Sequence, residues 1–452
     1  MDKKELVKSA LELLTNNILP FWQKSMVDTQ NGGFYGRRDG NGILHPDAEK
    51  GAVLNARILW AFSAAYRVLK QFTIHPHPAR LRCENLEQLV SGSHSLSDPD
   101  LRQGEDTDPD LRHNLNNIFA IATRAKDYII QHFIDREYGG VYWSLTADGK
   151  PLDTKKQSYA IGFMIYGLSE YARVTGDEEA KQSAINLFHD LENHAFDKQN
   201  NGYIEALTRE WKTIEDMRLS DKDENGIFTM NTHLHIIEPY TNLYRIWKDT
   251  QLKKQIINLL NIFTQKLYNP KNGHLDLFFN QHWHGSRNIH SYGHDIEASW
   301  LLTETLEVLH DEGLTKATLP YIEHISEASE EGLQADGSMS HEALFPISVD
   351  SNNLNQPYMA DSIDFSRQWW VECEAVIGFL YRYKQTKNEA FYHKAVKAYK
   401  YILEHLVDFE QGEWYWAILP NGAVDKENDK AGFWKCPYHN SRMCLEILTL
   451  DI

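Results

Sequence analysis

The sequence predicts an all-α protein: an (α/α)6 barrel, a toroid of twelve helices with short β-hairpins on the active-site face. Three observations predict it. Apolar residues of helical period recur about twelve times along the 452 residues. Glycine-bearing segments recur between them roughly every 63–75 residues, one insertion aside, and such a period marks a repeat architecture. The helix after each segment opens with polar and aromatic residues and then turns apolar, whereas the helix before it keeps an ordinary polar stripe.

The helical patterns fall near 3–24, 52–72, 114–133, 158–175, 178–193, 230–248, 251–267, 294–310, 316–331, 367–385, 388–407 and 437–450. The recurring segments are "NGGFYGRRDG" from residue 31, "YGGVYWSLTADGK" from 138, "NNGYIEALTREWK" from 200, "KNGHLDLFFNQHW" from 271, "ADGSMSHEAL" from 335 and "EQGEWYWAILPNG" from 410. Most read as a turn glycine, a short aromatic or β-branched strand and a second turn, which is a hairpin pattern. A solenoid has a similar helix count, but hairpins on one type of connection only favour a closed ring. The hairpin-following helices begin "VLNARILWAF", "SYAIGFMIYG", "MNTHLHIIEPY", "YGHDIEASWLL", "RQWWVECEAV" and "CPYHNSRMCLEI". They are expected to form the inner ring, with their polar first turns meeting at one mouth beside the hairpins.

Residues 71–114 break the period. The stretch is polar, rich in Ser, Asp, Pro and His, and contains "DPDLR" twice. It reads as a loop insertion in a single domain spanning 1–452. Because it follows an inner helix, it is expected at the rim opposite the active site.

Composition narrows the function. Hydrophobic content of 42% and charged content of 24% are globular values. The net charge of −18 argues against nucleic acid and anionic membranes as partners. Cys83, Cys373, Cys436 and Cys444 form no CxxC pair, so a reducing compartment is expected. The first residues, "MDKKELVKSALELLTNNILPFW", form an amphipathic helix without a secretory h-region, and no run is long enough to span a bilayer. A soluble cytoplasmic protein is expected, monomeric, with a dimer as the alternative.

Three histidines stand in the polar first turns: His235, His294 and His439. Imidazole is half-ionised near neutral pH and exchanges protons without a metal, and a helix N-terminus favours its neutral form. Asn231 and His235 share a helix face, as do His294 and Glu297. Glu297 is thus a candidate for orienting an imidazole or holding a substrate hydroxyl. Asp295 lies off that face and is read as a cap or packing group. His233, two residues from His235, points elsewhere and receives no chemical role. No HExxH motif or cysteine cluster appears, so no metal and no cofactor are expected. Trp369, Trp370, Trp434, Tyr438 and Tyr159 suit pyranose stacking in a barrel mouth. Arg57, a charge opening an apolar inner helix, is either paired structurally or aimed at a substrate oxygen that gains negative charge.

The motifs "NARILWAFSAAYR", "KKQSYAIGFMIYGLSEY", "NTHLHIIEPYTNLYR", "YGHDIEASWLL", "QWWVECEA" and "FWKCPYHNSRMCLEI" closely resemble the cellobiose 2-epimerases of the N-acylglucosamine 2-epimerase superfamily. The resemblance covers the chain except 71–114, and "GHDIEASW" and "WKCPYHN" favour the cellobiose branch. It implies an (α/α)6 isomerase that reversibly epimerises C2 of the reducing-end sugar in β-1,4-linked disaccharides such as cellobiose, lactose and mannobiose. It implies acid/base roles for His294 and His439, and a third pocket role for His235. It implies substrate contacts by Arg57, Tyr159, Asn231 and Glu297, stacking by Trp370 and Trp434, and less directly contacts by Asp223 and Glu342. The alternatives are an aldose–ketose isomerase or N-acylglucosamine 2-epimerase on the same barrel, a glycoside hydrolase using Glu297, Glu342, Glu372 or Glu374, and a non-catalytic sugar-binding protein.

Overall fold

Inner and outer helices alternate along the chain in the computed structural model, which describes residues 1–74, 109–221, 223–286, 288–346 and 360–451. The outer set is α1 (Lys3–Leu13) with its continuation α2 (Leu19–Ser25), α4 (Pro109–Tyr128), α6 (Glu178–Asp190), α8 (Thr250–Ile262), α10 (Glu312–Ser329) and α12 (Glu389–Tyr401). The inner set is α3 (Ala52–Ile74), α5 (Ser158–Thr175), α7 (Met230–Ile246), α9 (Tyr292–Leu309), α11 (Trp369–Thr386) and α13 (His439–Thr449). Each inner helix packs on the next, and α13 packs back on α3, so the toroid closes. Inner helices are buried on all sides because both their faces are covered: in α5 every residue from Ser158 to Ala172 is buried.

Between an outer helix and the inner helix after it, the same device recurs. Five outer helices pass into a π-helical turn, at Leu14–Ile18, Ile129–Phe133, Leu191–Ala195, Phe263–Leu267 and Ile402–Leu406. An Asp or Asn then folds the hairpin turn by accepting backbone N–H groups just ahead of it. Asp28 accepts from Gln30 and Asn31, Asp135 from Glu137 and Tyr138, Asp197 from Gln199 and Asn200, Asn269 from Lys271, and Asp408 from Glu410 and Gln411. In three units a fully or nearly fully buried lysine pairs with that aspartate: Lys50 with Asp28 and Lys156 with Asp135, each at 2.8 Å, and Lys430 with Asp408. The turn glycines are needed sterically as well as for their backbone. At Gly33 (φ +60°) a Cβ would lie 2.7 Å from the Tyr128 ring.

The units interlock at the mouth. Residues just before an inner helix pair antiparallel with the hairpin of the next unit: Lys50–Gly51 with Ser144–Leu145, Lys156–Gln157 with Ala206–Leu207, and Phe228–Thr229 with Phe278–Phe279. Asn288–Ser291 pairs with Glu342–Phe345, Arg367–Gln368 with Ala417–Ile418, and a bridge from Arg38 to Ala431 joins last unit to first.

The far ends of the inner helices carry one polar group each around the axis. Arg67 of α3 meets Glu170 of α5 at 2.7 Å, Arg245 of α7 meets Glu304 of α9 at 2.7 Å, and Tyr381 of α11 donates to Glu446 of α13 at 3.1 Å. Burial pushes the Glu170 carboxyl up, but Arg67 and Arg173 outweigh it and hold it at about 2.

Helix positions follow the sequence periodicity to within a few residues, except at the start of α4. That helix opens at Pro109, inside the predicted insertion, consistent with proline's preference for the first helical turn. The rest of the insertion, residues 75–108 with Cys83, lies outside the described residues. No helix among the described residues is long and apolar enough to cross a membrane.

Candidate active site

His235 sits at a kink in α7. Pro239, four residues on, has no N–H to give the His235 carbonyl, and the backbone at His235 leaves helical geometry (φ −89°, ψ 17°). The released carbonyl lies against α5, where a Cβ on Gly162 would be 2.3 Å from it. The ring is turned by Glu238, whose Oε2 is 3.0 Å from Nδ1. His233 faces the other way: Nδ1 meets the Thr229 carbonyl at 2.7 Å, and Nε2 accepts from Tyr203 N at 3.0 Å. It braces α7 against its hairpin.

His294 is the third residue of α9. Its Nδ1 is 2.7 Å from Oγ of Ser291, which stands opposite Glu342 in the strand pair before the helix. His439 is the first residue of α13, and its Nδ1 lies 2.7 Å from Oε1 of Glu374 on α11. In all three rings Nδ1 is held, while Nε2 has no hydrogen-bond partner among the described residues. A carboxylate at Nδ1 keeps the proton there and leaves Nε2 as the basic nitrogen.

The rings converge. His439 shares the Trp370 indole with His294, at 5.7 and 4.7 Å between centroids. It shares the Tyr438 ring with His235, at 4.6 and 6.4 Å. Burial pushes all three imidazoles down, His294 to about 3; His235 adds to this at His294 and His439, and Arg57 and Arg442 add to it at His235. They are therefore neutral bases at pH 7.

One pairing expected from the shared helix face is corrected. Glu297 shares a helix face with His294 but does not hold it, because His294 turns back to Ser291. Glu297 lies a turn deeper, where Oε1 accepts from Arg442 Nη2 at 2.5 Å and stands 4.0 Å from Nδ1 of His439. Of the two roles expected for Asp295, capping or packing at the first turn of α9, the structure shows packing. Asp295 is buried and receives His274 Nδ1 at 2.7 Å and Leu275 N at 3.0 Å, tying the helix to the preceding hairpin.

Arg57 is 3% exposed and has no carboxylate partner among the described residues. Its Nη2 donates to Tyr159 Oη at 2.8 Å, and its guanidinium lies over Phe163 and Tyr438. Tyr159 meets His235 edge-on at 5.0 Å and Trp434 at 5.9 Å. Asn231 Oδ1 is buried without a partner at the start of α7. Asn231, His294, Trp370 and Trp434 are half-buried, forming the open side of the cluster. Asp223 is tied locally, accepting from Ser220 N and Oγ at 2.9 and 2.8 Å. Glu342 is half-buried in its strand beside the His294 turn.

The group that sequence reasoning missed is Arg442, one turn after His439. It donates to Glu238 at 2.5 Å, Glu297 at 2.5 Å, Glu374 at 2.8 Å, and the Tyr438 hydroxyl. A signal was present. The inner helices carry "HIIE" from 235, "HDIE" from 294 and "HNSR" from 439, each with a charge three residues after the histidine. In a ring of equivalent helices those charges meet on the axis. Glu297, Glu374 and His439 also have spacing that could hold a cation, but Arg442 Nη2 already bridges both carboxylates.

The comparisons agree with this geometry. The model of the N-acylglucosamine 2-epimerase family matches residues 111–442. The chain is 46% identical to a cellobiose 2-epimerase of Bacteroides fragilis, covering 98% of this chain and 99% of that protein. It is 34% identical to a cellobiose 2-epimerase of Ruminococcus albus over 99% of each. The solved cellobiose 2-epimerase of Bacillus thermoamylovorans superposes with a TM-score of 0.80 at 35% identity, covering 98% of this chain and 99% of that one. The chain belongs to the N-acylglucosamine 2-epimerase family of (α/α)6 barrels. Within that family it stands with the cellobiose 2-epimerases.

Proposed function

We propose that the protein is a carbohydrate isomerase that epimerises C2 of the reducing-end glucose or mannose in β-1,4-linked disaccharides, with cellobiose, lactose and mannobiose as the substrate class. The reading is carried by three neutral imidazoles from three repeats, each held at Nδ1 and, among the described residues, unpaired at Nε2, around one half-open site.

The pyranose opens first, exposing a C1 aldehyde that acidifies the C2–H bond. His235 faces Tyr159 and suits ring opening or holding the reacting oxygens. One of His294 and His439 takes the C2 proton on Nε2, and its imidazolium is formed as the cis-enediolate appears. Negative charge develops on O1 and O2, within the class of oxyanions that Arg57 and Asn231 can bind. Positioned donors of this kind are worth about 3 kcal/mol each. The other imidazole delivers a proton to the opposite face of C2, from across the intermediate or after rotation about C2–C3. Return of the proton to C1 instead gives the ketose, so slow lactose-to-lactulose conversion is an expected side reaction. Trp370 and Trp434 supply stacking surfaces for the sugar rings.

The chemistry proposed needs no metal. Glu297 and Glu374 are occupied by Arg442, and Glu372 accepts from Met339 N. That also argues against a hydrolase, which needs two carboxylates free to flank a glycosidic bond. We further propose a single domain acting as a cytoplasmic monomer, with residues 71–114 as an insertion remote from the site. The free, buried Cys373, Cys436 and Cys444 support a reducing compartment. From its first turn near the site, α3 carries the chain about 30 Å away before the insertion begins.

The decisive experiment is deuterium exchange at C2 of cellobiose in D2O, with chromatographic analysis of products. Exchange with mannose at the reducing end is expected, and His294→Asn or His439→Asn should abolish it while disaccharide binding persists. A ketose as sole product, or released glucose, would sink the reading.

A further inference from the structure

We propose that Arg442 is the positioning residue that joins the imidazoles of His235 and His439 into one rigid acid/base unit; this deepens the epimerase reading and rests on it. The chain of contacts is continuous. His235 meets Glu238, Glu238 meets Arg442, Arg442 meets Glu374, and Glu374 meets His439, at 3.0, 2.5, 2.8 and 2.7 Å. All five groups are buried.

The guanidinium itself cannot drift. Its Cζ lies 4.7 Å from the centre of the Trp300 ring and 4.1 Å from that of the Tyr438 ring, and Trp300 Nε1 donates to the second oxygen of Glu374 at 2.8 Å. One nitrogen serves Glu238, the other serves Glu297 and Glu374, so the two imidazole-bearing carboxylates are set at a fixed separation by one planar group. Three carboxylates crowd this cation. Burial pushes the Glu238 carboxyl up, but Arg442 outweighs it and holds Glu238 ionised, at about 2. Burial raises both Glu297 and Glu374, and each carboxylate raises its neighbour further, so one proton is shared between them. Arg442 lowers all three carboxyls, so without the guanidinium each would be pushed further towards its protonated form. A protonated carboxyl no longer fixes the imidazole proton on Nδ1, and the basic nitrogen need no longer face the sugar.

Arginine is required in this place. Lysine would keep the charge but as a point, without a fork that spans two carboxylates or a plane that fits between two rings.

The test uses the full chain with cellobiose, following C2 deuterium exchange and epimer formation from pH 5 to 9. In R442K, kcat should fall by about 100-fold, the loss expected when reacting groups shift by about 1 Å, with KM within about 3-fold of wild type. In R442Q the fall should be larger. Because Arg442 lowers the basicity of both imidazoles, removing its charge should also move the acid limb of kcat/KM to higher pH, a shift that R442K should not show. A folded R442Q with wild-type kcat and an unmoved limb would overturn the proposal.

If R442Q does not fold, E374Q combined with R442K decides. Groups acting as one unit lose activity non-additively, so the double variant should be little worse than either single one, and additive losses overturn the proposal. Imidazole ¹⁵N shifts of His235 and His439 give a readout independent of turnover. R442K should shift both towards the mixed tautomer, and unchanged shifts would refute the positioning role. A wild-type protein without C2 exchange would instead refute the epimerase reading, leaving the tautomer measurement to judge Arg442.

Discussion

Replacing Gly162 with alanine tests whether the kink at His235 is held by packing. A Cβ there would lie 2.3 Å from the His235 carbonyl oxygen, a backbone atom. An ordinary carbon–oxygen contact is about 1 Å longer, so α5 and α7 must separate or the kink must relax. Overfilling a close-packed core in this way costs about 1–3 kcal/mol. The displaced atom belongs to a pocket residue, and a shift of about 1 Å at a reacting group typically lowers rate about 100-fold. Gly176 is the control. It ends α5 in left-handed geometry (φ +73°) with nothing within 4 Å of its added Cβ. Gly176→Ala should therefore cost about 1 kcal/mol of backbone strain and no activity. Urea unfolding and the C2 exchange rate, measured on both variants, separate the two cases. Gly162→Ala with wild-type stability and kcat, or Gly176→Ala with the larger rate loss, would refute the reasoning.

Other outcomes follow from the same contacts. Lys50→Met should destabilise by about 3–5 kcal/mol in urea unfolding, because the fully buried Asp28 loses its counter-charge; a loss under 1 kcal/mol would mean that water reaches the pair. His233, His235, His294 and His439 all have folded-state pKa values lowered by burial. Through these four groups the unfolded chain binds more protons than the native one below about pH 6.5, whereas the buried carboxyls of Glu205, Glu297 and Glu446, raised to about 7, 8 and 7, act the other way. The stability advantage of wild type over His233→Gln should therefore shrink as pH drops from 7 to 5, and an advantage independent of pH in urea unfolding would contradict this. The same shifts predict that kcat/KM keeps its neutral base below pH 6, so an acid limb at the ordinary histidine value would count against a buried base. EDTA should leave turnover unchanged, and a loss restored by a divalent metal would overturn the metal-free chemistry. Deletion of residues 75–108 should leave epimerisation intact; a folded but inactive deletion would place that segment near the site.

The toroid was legible because its signals are local and repeated. Each inner helix turns apolar after a polar first turn, and each hairpin announces itself by an Asp or Asn followed by a turn glycine. The histidines were legible because they stand at equivalent places in three inner helices. What the sequence concealed was the partner of each charge. Glu297 shares a helix face with His294, and periodicity alone pairs them. The ring geometry instead sends Glu297 to Arg442, 145 residues away. Asp295 was legible as a capping or packing group of the first turn and is a packing group, but periodicity could not show that a hairpin histidine claims it. The kink at Pro239 was visible in the sequence, while the glycine that receives it lies on another helix. Local periodicity fixes which residues share an element, and only closure of the ring decides which charges share a site.

The belt of Arg67, Glu170, Arg245, Glu304, Tyr381 and Glu446 has a consequence for traffic. Its three bonded pairs tie neighbouring inner helices together at the end away from the imidazoles. If this belt closes the bore, a sugar must back out through the doorway by which it came. Substrate and product therefore compete for the same vestibule, and the two epimers should inhibit each other's entry even when the chemistry is far from equilibrium.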